Sequence, residues 1–190
     1  TLSGQGMITW TTDGEPPDVD AAAYSGPLTL PDLPVVSLRA VSHVDGLWPS
    51  RPGTATYIRD PERFDAAVRV VAITFAPDDL FDPITGIYEY GPDYEHSYPY
   101  FGANFWELWE RPVHVELFGP DGGLLASQDA GIQIAGGYSR AFDQRNFELI
   151  SRSAYGPDAF EADVFHLESR RRFERIYLRN GGDWCGTQLV

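Results

Sequence analysis

Short runs of alternating or β-branched apolar residues, separated by glycine, proline and aspartate, recur along this chain of 190 residues. The pattern is typical of short β-strands joined by turns, because side chains alternate between the two faces of a strand. Residues 68–75 (VRVVAITF) predict one such strand. Another begins near residue 111, where Val113 and Val115 are expected on one face and His114 on the other. No long helical pattern interrupts these runs, so the sequence predicts a mainly β fold.

The charge of the chain disfavours two classes of partner. The formal net charge is −14, and a surface of that sign repels both nucleic acid and anionic lipid. All 14 basic residues are arginine. Without lysine, no Schiff base can form and no ammonium group can anchor a nucleotide phosphate. We therefore expect neither a nucleic-acid partner nor a membrane partner.

Cysteine and histidine usage gives no sign of a metal site. The single cysteine, Cys185, has no partner for an internal disulfide, and the histidines are scattered without ligand spacing. The chain has no apolar run of about 18 residues, as a membrane-spanning helix requires. No targeting segment is visible in the first residues. We expect the chain to be a piece of a longer protein.

Residues 1–58 read as a small all-β module. Short extended runs are separated by glycine, proline and aspartate, which is the spacing of a β-sandwich. Within "TTDGE", Asp13 is expected to accept backbone N–H groups and Gly14 to adopt a positive φ. We interpret this segment as a turn in preference to a ligand site.

The order "ITWTTDGEPPD", "YSGPLTL" and "VSLRAVSHVDGLWPSRPGTATYI" resembles the accessory module of the chitobiase/β-hexosaminidase C-terminal type. The resemblance covers nearly all of residues 1–58. It implies an immunoglobulin-like β-sandwich that acts as a non-catalytic spacer in exported enzymes.

A linker at residues 59–67 leads into a second and larger region. A short helical turn is expected at residues 78–81, and a hairpin runs from residue 111 to residue 137. Its Pro-Asp-Gly-Gly at residues 120–123 suits a type I turn followed by a left-handed glycine. Further strands follow in "RNFELISR" and "FERIYLRN".

Six motifs of this region appear in a fixed order. They are "LFDPITGIY", "WERPVHVELFGPDGG", "AGIQIAGGYSR", "QRNFELISRSAYG", "VFHL" and "FERIYLRNGGDW". Together they resemble the amino-terminal half of the CotH-kinase-like family, over about residues 64–190. The resemblance implies a divergent protein-kinase-like fold that transfers phosphate from ATP with Mg. It also implies an exported protein, at the cell surface or associated with a spore coat.

The resemblance directs attention to Gly136 and Gly137, since consecutive backbone N–H groups of a glycine-rich turn can wrap phosphate oxygens. In the family the turn is followed by a paired lysine and a serine. Here Gln144 and Arg145 occupy the lysine positions, and Asn146 that of the serine. Arginine keeps the charge in a wide planar fork.

The candidate cofactor-binding residues are therefore Gly136, Gly137, Arg140 and Arg145. Structural interpretations stay open beside this one. The glycines can form a turn without a ligand, and Arg145 can be a solvated strand residue facing Glu148 or another acid.

Residues 92–108 form an aromatic insertion where the family has a short loop. Tyr98, Phe101 and Trp106 predict a stacking surface for a polysaccharide or a protein partner. The alternative is that the loop folds back and buries its rings, because aromatic side chains carry a large apolar area.

Catalytic residues are not assigned in this chain. Asp82 in "FDPITG" is interpreted as a turn former, and Asp183 as a helix cap or turn residue. We expect the magnesium and base carboxylates in a carboxy-terminal part of the parent protein, which is then the partner of this chain. The chain alone is expected to be inactive and to retain neither ATP nor Mg.

The sequence thus predicts the amino-terminal fragment of an exported CotH-like atypical kinase, contributing nucleotide-binding surface but lacking the catalytic carboxylates. The alternatives are a degenerate, non-catalytic binding or scaffold module and a carbohydrate-associated module of an exported protein.

Overall fold

A computed structural model describes residues 2–59, 69–165 and 171–181 of the chain. Strands account for most of the regular structure within these ranges, and the helical elements are a five-residue helix, α1 (Pro77–Phe81), and two 3-10 turns at Asn104–Trp106 and Tyr138–Ala141. The prediction of a mainly β fold is confirmed. So is the expected helical turn near residues 78–81. The predicted linker at residues 59–67 lies, apart from its first residue, outside the described residues.

The first sheet has four antiparallel strands. They are β1 (Met7–Thr11), β2 (Ala22–Ala23), β3 (Val35–His43) and β4 (Gly53–Ile58), in the order β2-β1-β3-β4. Residues Val36, Leu38 and Val41 of the central strand β3 are buried, as β-branched and aliphatic side chains favour in a strand. The immunoglobulin-like sandwich stays a prediction.

The turn after β1 forms as the sequence predicts. Asp13 Oδ1 accepts the backbone N–H of Glu15 at 3.0 Å, and Gly14 has a φ of 96°. A Cβ at Gly14 would also lie 2.5 Å from the carbonyl oxygen of Phe75. Glycine is thus required here by both conformation and space.

The second sheet has five strands and contains the candidate site. Its members are β5 (Val70–Thr74), β6 (Arg111–Phe118), β7 (Leu124–Ala135), β8 (Asn146–Ile150) and β11 (Arg175–Leu178), in the order β11-β8-β7-β6-β5. A separate pair is made by β9 (Phe160–Glu161) and β10 (Arg172–Phe173). The predicted hairpin of β6 and β7 closes through a turn in which Gly122 has a φ of 77°, the left-handed glycine expected there.

The chain divides into two compact units. Unit 1 comprises Thr1–Pro77 and His114–Ser127, and unit 2 comprises Asp78–Val113 and Gln128–Val190. The sequence-based boundary between residues 58 and 59 stays a prediction.

In unit 1, the polar face of β6 is buried and hydrogen-bonded. Glu116, which is 4% exposed, accepts the backbone N–H of Thr56 at 2.7 Å. His114 contacts the Ser127 hydroxyl at 3.0 Å. Thr56 belongs to β4, the edge strand of the first sheet. A side chain of β6 therefore satisfies a donor that would otherwise lie unpaired at a sheet edge.

In unit 2, the core includes buried side chains of β7 and β8. Ile132, Ile134 and Leu149 are each at most 1% exposed, as are Phe105 and Phe160. Full burial of such side chains contributes roughly 1.5–3 kcal/mol each to folding before entropy costs are subtracted. This apolar layer anchors the strand ends at which the glycine turn begins.

Candidate functional site

The glycine pair lies where β7 ends, and its backbone explains its composition. Gly136 has a φ of 108°, and a Cβ there would overlap the Ser139 hydroxyl. A Cβ at Gly137 would meet no atom within 4 Å. The conformation of the turn thus requires glycine at position 136, whether or not a ligand binds.

The register of β7 and β8 brings the glycine turn beside Arg145. Ala135 pairs with Asn146 as the last pair of the ladder, so Gly136 directly follows this pair on one side and Arg145 directly precedes it on the other. The Asn146 side chain closes the same end by donating from Nδ2 to the Ser139 hydroxyl at 3.0 Å. Asn146, at the family's serine position, therefore ties the turn to β8.

Arg140 fastens the turn to the aromatic insertion. Its Nε donates to the Gly136 carbonyl at 2.7 Å, and one terminal nitrogen lies 3.2 Å from the Phe105 carbonyl oxygen. A longer contact of 3.5 Å reaches the Glu107 carbonyl. All three contacts are with backbone carbonyl oxygens, so Arg140 holds the glycine turn against the aromatic insertion.

Arg145 is a buried cation enclosed by aromatic rings. It is 6% exposed, and its guanidinium carbon lies 4.0 Å from the ring centroid of Phe105 and 4.6 Å from that of Tyr88. One terminal nitrogen donates to the Phe142 carbonyl at 3.1 Å. Within the described ranges its Nε has no hydrogen-bond partner. Cation–π contacts with these rings and hydrogen bonds to backbone carbonyls thus stabilise the positive charge of Arg145.

The alternative that Arg145 is solvated and faces Glu148 is wrong. Glu148 instead pairs with Arg175 at 2.9 Å and accepts from Gln133 Nε2 at 2.5 Å. The ion pair raises the pKa of Arg175, chiefly through the hydrogen bond to Glu148. Gln144 is exposed, and its backbone carbonyl accepts a hydrogen bond from Asn180 Nδ2 at 2.5 Å.

Tyr88 belongs to this site, although it was not among the candidate residues. Its hydroxyl donates to the Asp143 carbonyl at 2.8 Å and accepts the backbone N–H of Arg145 at 3.0 Å. The Tyr88 hydroxyl therefore holds the loop before β8 through two hydrogen bonds, and the Tyr88 ring stacks on the guanidinium of Arg145. The sequence pointed to Tyr88 only through the family resemblance, as the last residue of the motif "LFDPITGIY".

The aromatic insertion forms two layers, and its role as a stacking surface for a polysaccharide or a protein partner stays a prediction. Phe105 is fully buried, and Tyr90 packs against Phe105 and Tyr100 at ring distances of 5.3 and 5.2 Å. Tyr98 and Phe101 remain exposed, at 55% and 43%. The loop thus folds back on an inner layer while an outer layer faces solvent.

Tyr138, a second residue missing from the candidates, joins the glycine turn to this outer layer. It is 62% exposed and contacts the rings of Tyr98, Phe101 and Trp106 at centroid distances of 6.5, 6.2 and 6.2 Å. The one hint of Tyr138 in the sequence is its place directly after the two glycines in "GGYSR". Its partners lie more than 30 residues away in the chain, which no local pattern reveals.

Comparisons with known proteins leave the family open. No family model, no curated protein and no solved structure matches this chain. Both resemblances, to the CotH-kinase-like family and to the chitobiase-type module, therefore stay predictions.

The carboxylate of Asp82 binds backbone groups of its own turn. Asp82 Oδ1 accepts the N–H groups of Ile84 and Thr85 at 2.9 and 2.7 Å. These hydrogen bonds, that of Thr85 first, lower the pKa of Asp82. The prediction of a turn former is confirmed.

Metal ligands and membrane spans are likewise not found in the part of the chain that the structure covers. No group of three or more His, Cys, Asp or Glu side chains is placed there to hold a metal ion, and none of its helices is long and apolar enough to cross a membrane. Asp183 and Cys185 lie outside the described residues.

Proposed function

We propose that this chain is the amino-terminal part of a CotH-kinase-like protein and that the end of the β7–β8 ladder contributes nucleotide-binding surface. The observation that carries the proposal is the juxtaposition of Gly136 and Gly137 with Arg145. Kinases place a glycine-rich turn over the phosphates and a cation on a neighbouring strand. Here the glycine turn follows β7, and Arg145 directly precedes β8, the strand paired with β7, with an arginine in place of lysine.

The electrostatics of Arg145 favour an anion at this point. A buried charge is costly unless an opposite charge compensates it. Among the described residues, no carboxylate lies within 4.0 Å of its guanidinium, and its buried Nε has no partner. A phosphate oxygen that approached the free part of the fork would gain a charge-assisted hydrogen bond.

Magnesium is a different case. The described residues contain no group of three or more His, Cys, Asp or Glu side chains placed to hold a metal ion. This chain would help to bind and orient ATP. Arg145 would neutralise phosphate charge, and Arg140 would keep the glycine turn in place through its hydrogen bond to the Gly136 carbonyl. Phosphate transfer would require the catalytic carboxylates that we place in the carboxy-terminal part of the parent. Export to the cell surface or a spore coat belongs to the same proposal.

The test is a thermal unfolding titration with Mg-ATP on the full-length parent protein, as the wild type and as Arg145→Met. Methionine keeps an unbranched chain between the rings of Phe105 and Tyr88 but removes the charge. A ligand that binds only the native state stabilises it, by about 2.7 kcal/mol at a hundredfold excess over Kd. We expect stabilisation of the wild type and none of the variant.

Arg59→Met is the matched control, because Arg59 pairs with Asp32 on the surface of unit 1. It should respond to Mg-ATP as the wild type does. Equal stabilisation of wild type and Arg145→Met, or none of either at millimolar nucleotide, would remove the nucleotide site. The second result would favour a non-catalytic binding module, for which the exposed rings of Tyr98 and Phe101 are the specific observation.

A further inference from the structure

Four side chains of unit 2 form one continuous set of rings, which we call the aromatic surface: Tyr98, Phe101, Trp106 and Tyr138. Each of the other three contacts Tyr138, and Phe101 also lies 4.9 Å from Trp106. Tyr98, Phe101 and Tyr138 are 55%, 43% and 62% exposed. Exposed large side chains scattered singly need no explanation, but a contiguous patch usually marks a binding site.

The backbone holds these rings in place. Trp106 Nε1 donates to the Pro99 carbonyl at 2.9 Å, and the buried ring of Phe105 supports Trp106 at 6.4 Å. Tyr100, between Tyr98 and Phe101, has a φ of 63°, a left-handed conformation that is costly for a residue with a side chain. Such conformations persist where the surrounding structure imposes them, and they cluster at ligand-binding segments.

The edges of the aromatic surface are polar. Glu95, Ser97 and Glu107 are exposed, and each adjoins a residue of the aromatic surface along the chain or through a backbone hydrogen bond. Ser97 precedes Tyr98, Glu107 follows Trp106, and the Glu95 N–H donates to the Phe101 carbonyl at 2.8 Å. Exposed rings with hydrogen-bonding groups beside them can contact a ligand that has an apolar face and polar edges.

We propose that the aromatic surface binds a neutral polysaccharide. The C–H groups on one face of a pyranose carry partial positive charge, which the negative face of an aromatic ring attracts. Its hydroxyl groups would donate to the carboxylates of Glu95 and Glu107. The carboxylates of Glu95 and Glu107 repel uronate groups at this surface, which favours a neutral polymer over an acidic one. The proposal does not depend on nucleotide binding at Arg145.

Native affinity electrophoresis tests it directly, since the charge of −14 drives migration of the protein without added detergent. The gels would contain hydroxyethyl cellulose, xylan, galactomannan or glycol chitin, with polygalacturonate as the acidic polymer. At least one neutral polymer should retard the protein. Tyr98→Ala and Tyr138→Ala should each weaken the retardation by about tenfold or more, as for rings that anchor an interface.

Trp48→Ala is the control for losing an exposed aromatic residue, because Trp48 is 95% exposed and lies in unit 1. It should be retarded like the wild type, and all variants should keep the wild-type circular dichroism spectrum. Three results would overturn the proposal: no retardation by any neutral polymer, retardation by polygalacturonate alone, or retardation that survives both tyrosine substitutions. Loss of self-association on Tyr98→Ala, without glycan retardation, would point to a second copy of the chain instead.

Discussion

The guanidinium carbon of Arg145 lies 4.0 Å from the ring centroid of Phe105, a residue with no exposed surface. The two residues are about 40 positions apart in the chain, so the contact joins the aromatic insertion to the loop before β8. Phe105 also offers its carbonyl to Arg140. One buried residue thus supports both candidate arginines.

Phe105→Ala should destabilise the protein strongly. Truncating a fully buried phenylalanine costs about 3–5 kcal/mol through lost burial and the cavity left behind, and here the stack on Arg145 is lost as well. Urea unfolding measures the change. Phe101→Ala is the matched control: Phe101 is 43% exposed, so its loss should cost no more than about 1 kcal/mol. Equal costs for the two variants would contradict the layered arrangement.

Gly136→Ala should destabilise the protein through two effects. The φ of 108° is unfavourable for alanine, and the new Cβ would overlap the Ser139 hydroxyl. We expect a cost of about 1–3 kcal/mol, measured by thermal unfolding. Gly46→Ala separates the effects, because Gly46 has a φ of 76° and no neighbouring atom within 4 Å of the point where a Cβ would lie. A larger loss at Gly46 than at Gly136 would show that the overlap is absent.

Glu116→Ala should weaken the first sheet at its β4 edge. Glu116 is 4% exposed, and its carboxylate accepts the Thr56 N–H at 2.7 Å. Leaving a fully buried donor without a partner costs about 1–3 kcal/mol, and Thr56 is half-buried, so we expect the lower end of that range. Glu116→Gln keeps an acceptor oxygen and should lose less. Hydrogen exchange at the Thr56 amide provides the local readout: it should be fastest in the alanine variant, and unchanged exchange would rule the contact out.

Stability should fall at alkaline pH through Tyr155. Burial, together with a hydrogen bond to Glu110, raises the pKa of Tyr155 from 10.0 to about 12. The folded state therefore holds this proton more tightly than the unfolded state. Its contribution is complete below pH 10 and is lost as the pH rises towards 12. The measurement is the difference in unfolding free energy between wild type and Tyr155→Phe, which should decrease over that window. A constant difference between about pH 8 and pH 12 would refute the shift.

Several local features could be predicted from the sequence because neighbouring residues determine them. Asp13 and Gly14 form their turn from one side-chain acceptor and one positive φ. Asp82 forms its turn in the same way, through the N–H groups of Ile84 and Thr85. The β6–β7 hairpin follows from alternation and from the glycines after Asp121. In each case the interacting groups lie within a few residues of each other.

The candidate site was predicted only in part. A family resemblance pointed to Gly136, Gly137, Arg140 and Arg145, but whether Arg145 was solvated stayed open. The structure buries it between Phe105 and Tyr88. Neither that enclosure nor the contacts of the Tyr138 ring could be read from spacing, because the partners come from different loops that only the folded sheet brings together.

The alternation of apolar residues and the positions of glycine, proline and aspartate determined that this protein is mainly β, since strand period and turn conformation depend on local covalent geometry. The absence of lysine likewise determined that any phosphate contact by a cationic side chain must use arginine or histidine. Tertiary structure decided which rings became core and which became surface. Burial depends on which distant segments pack together, and the same loop supplied both the fully buried Phe105 and the exposed Tyr98.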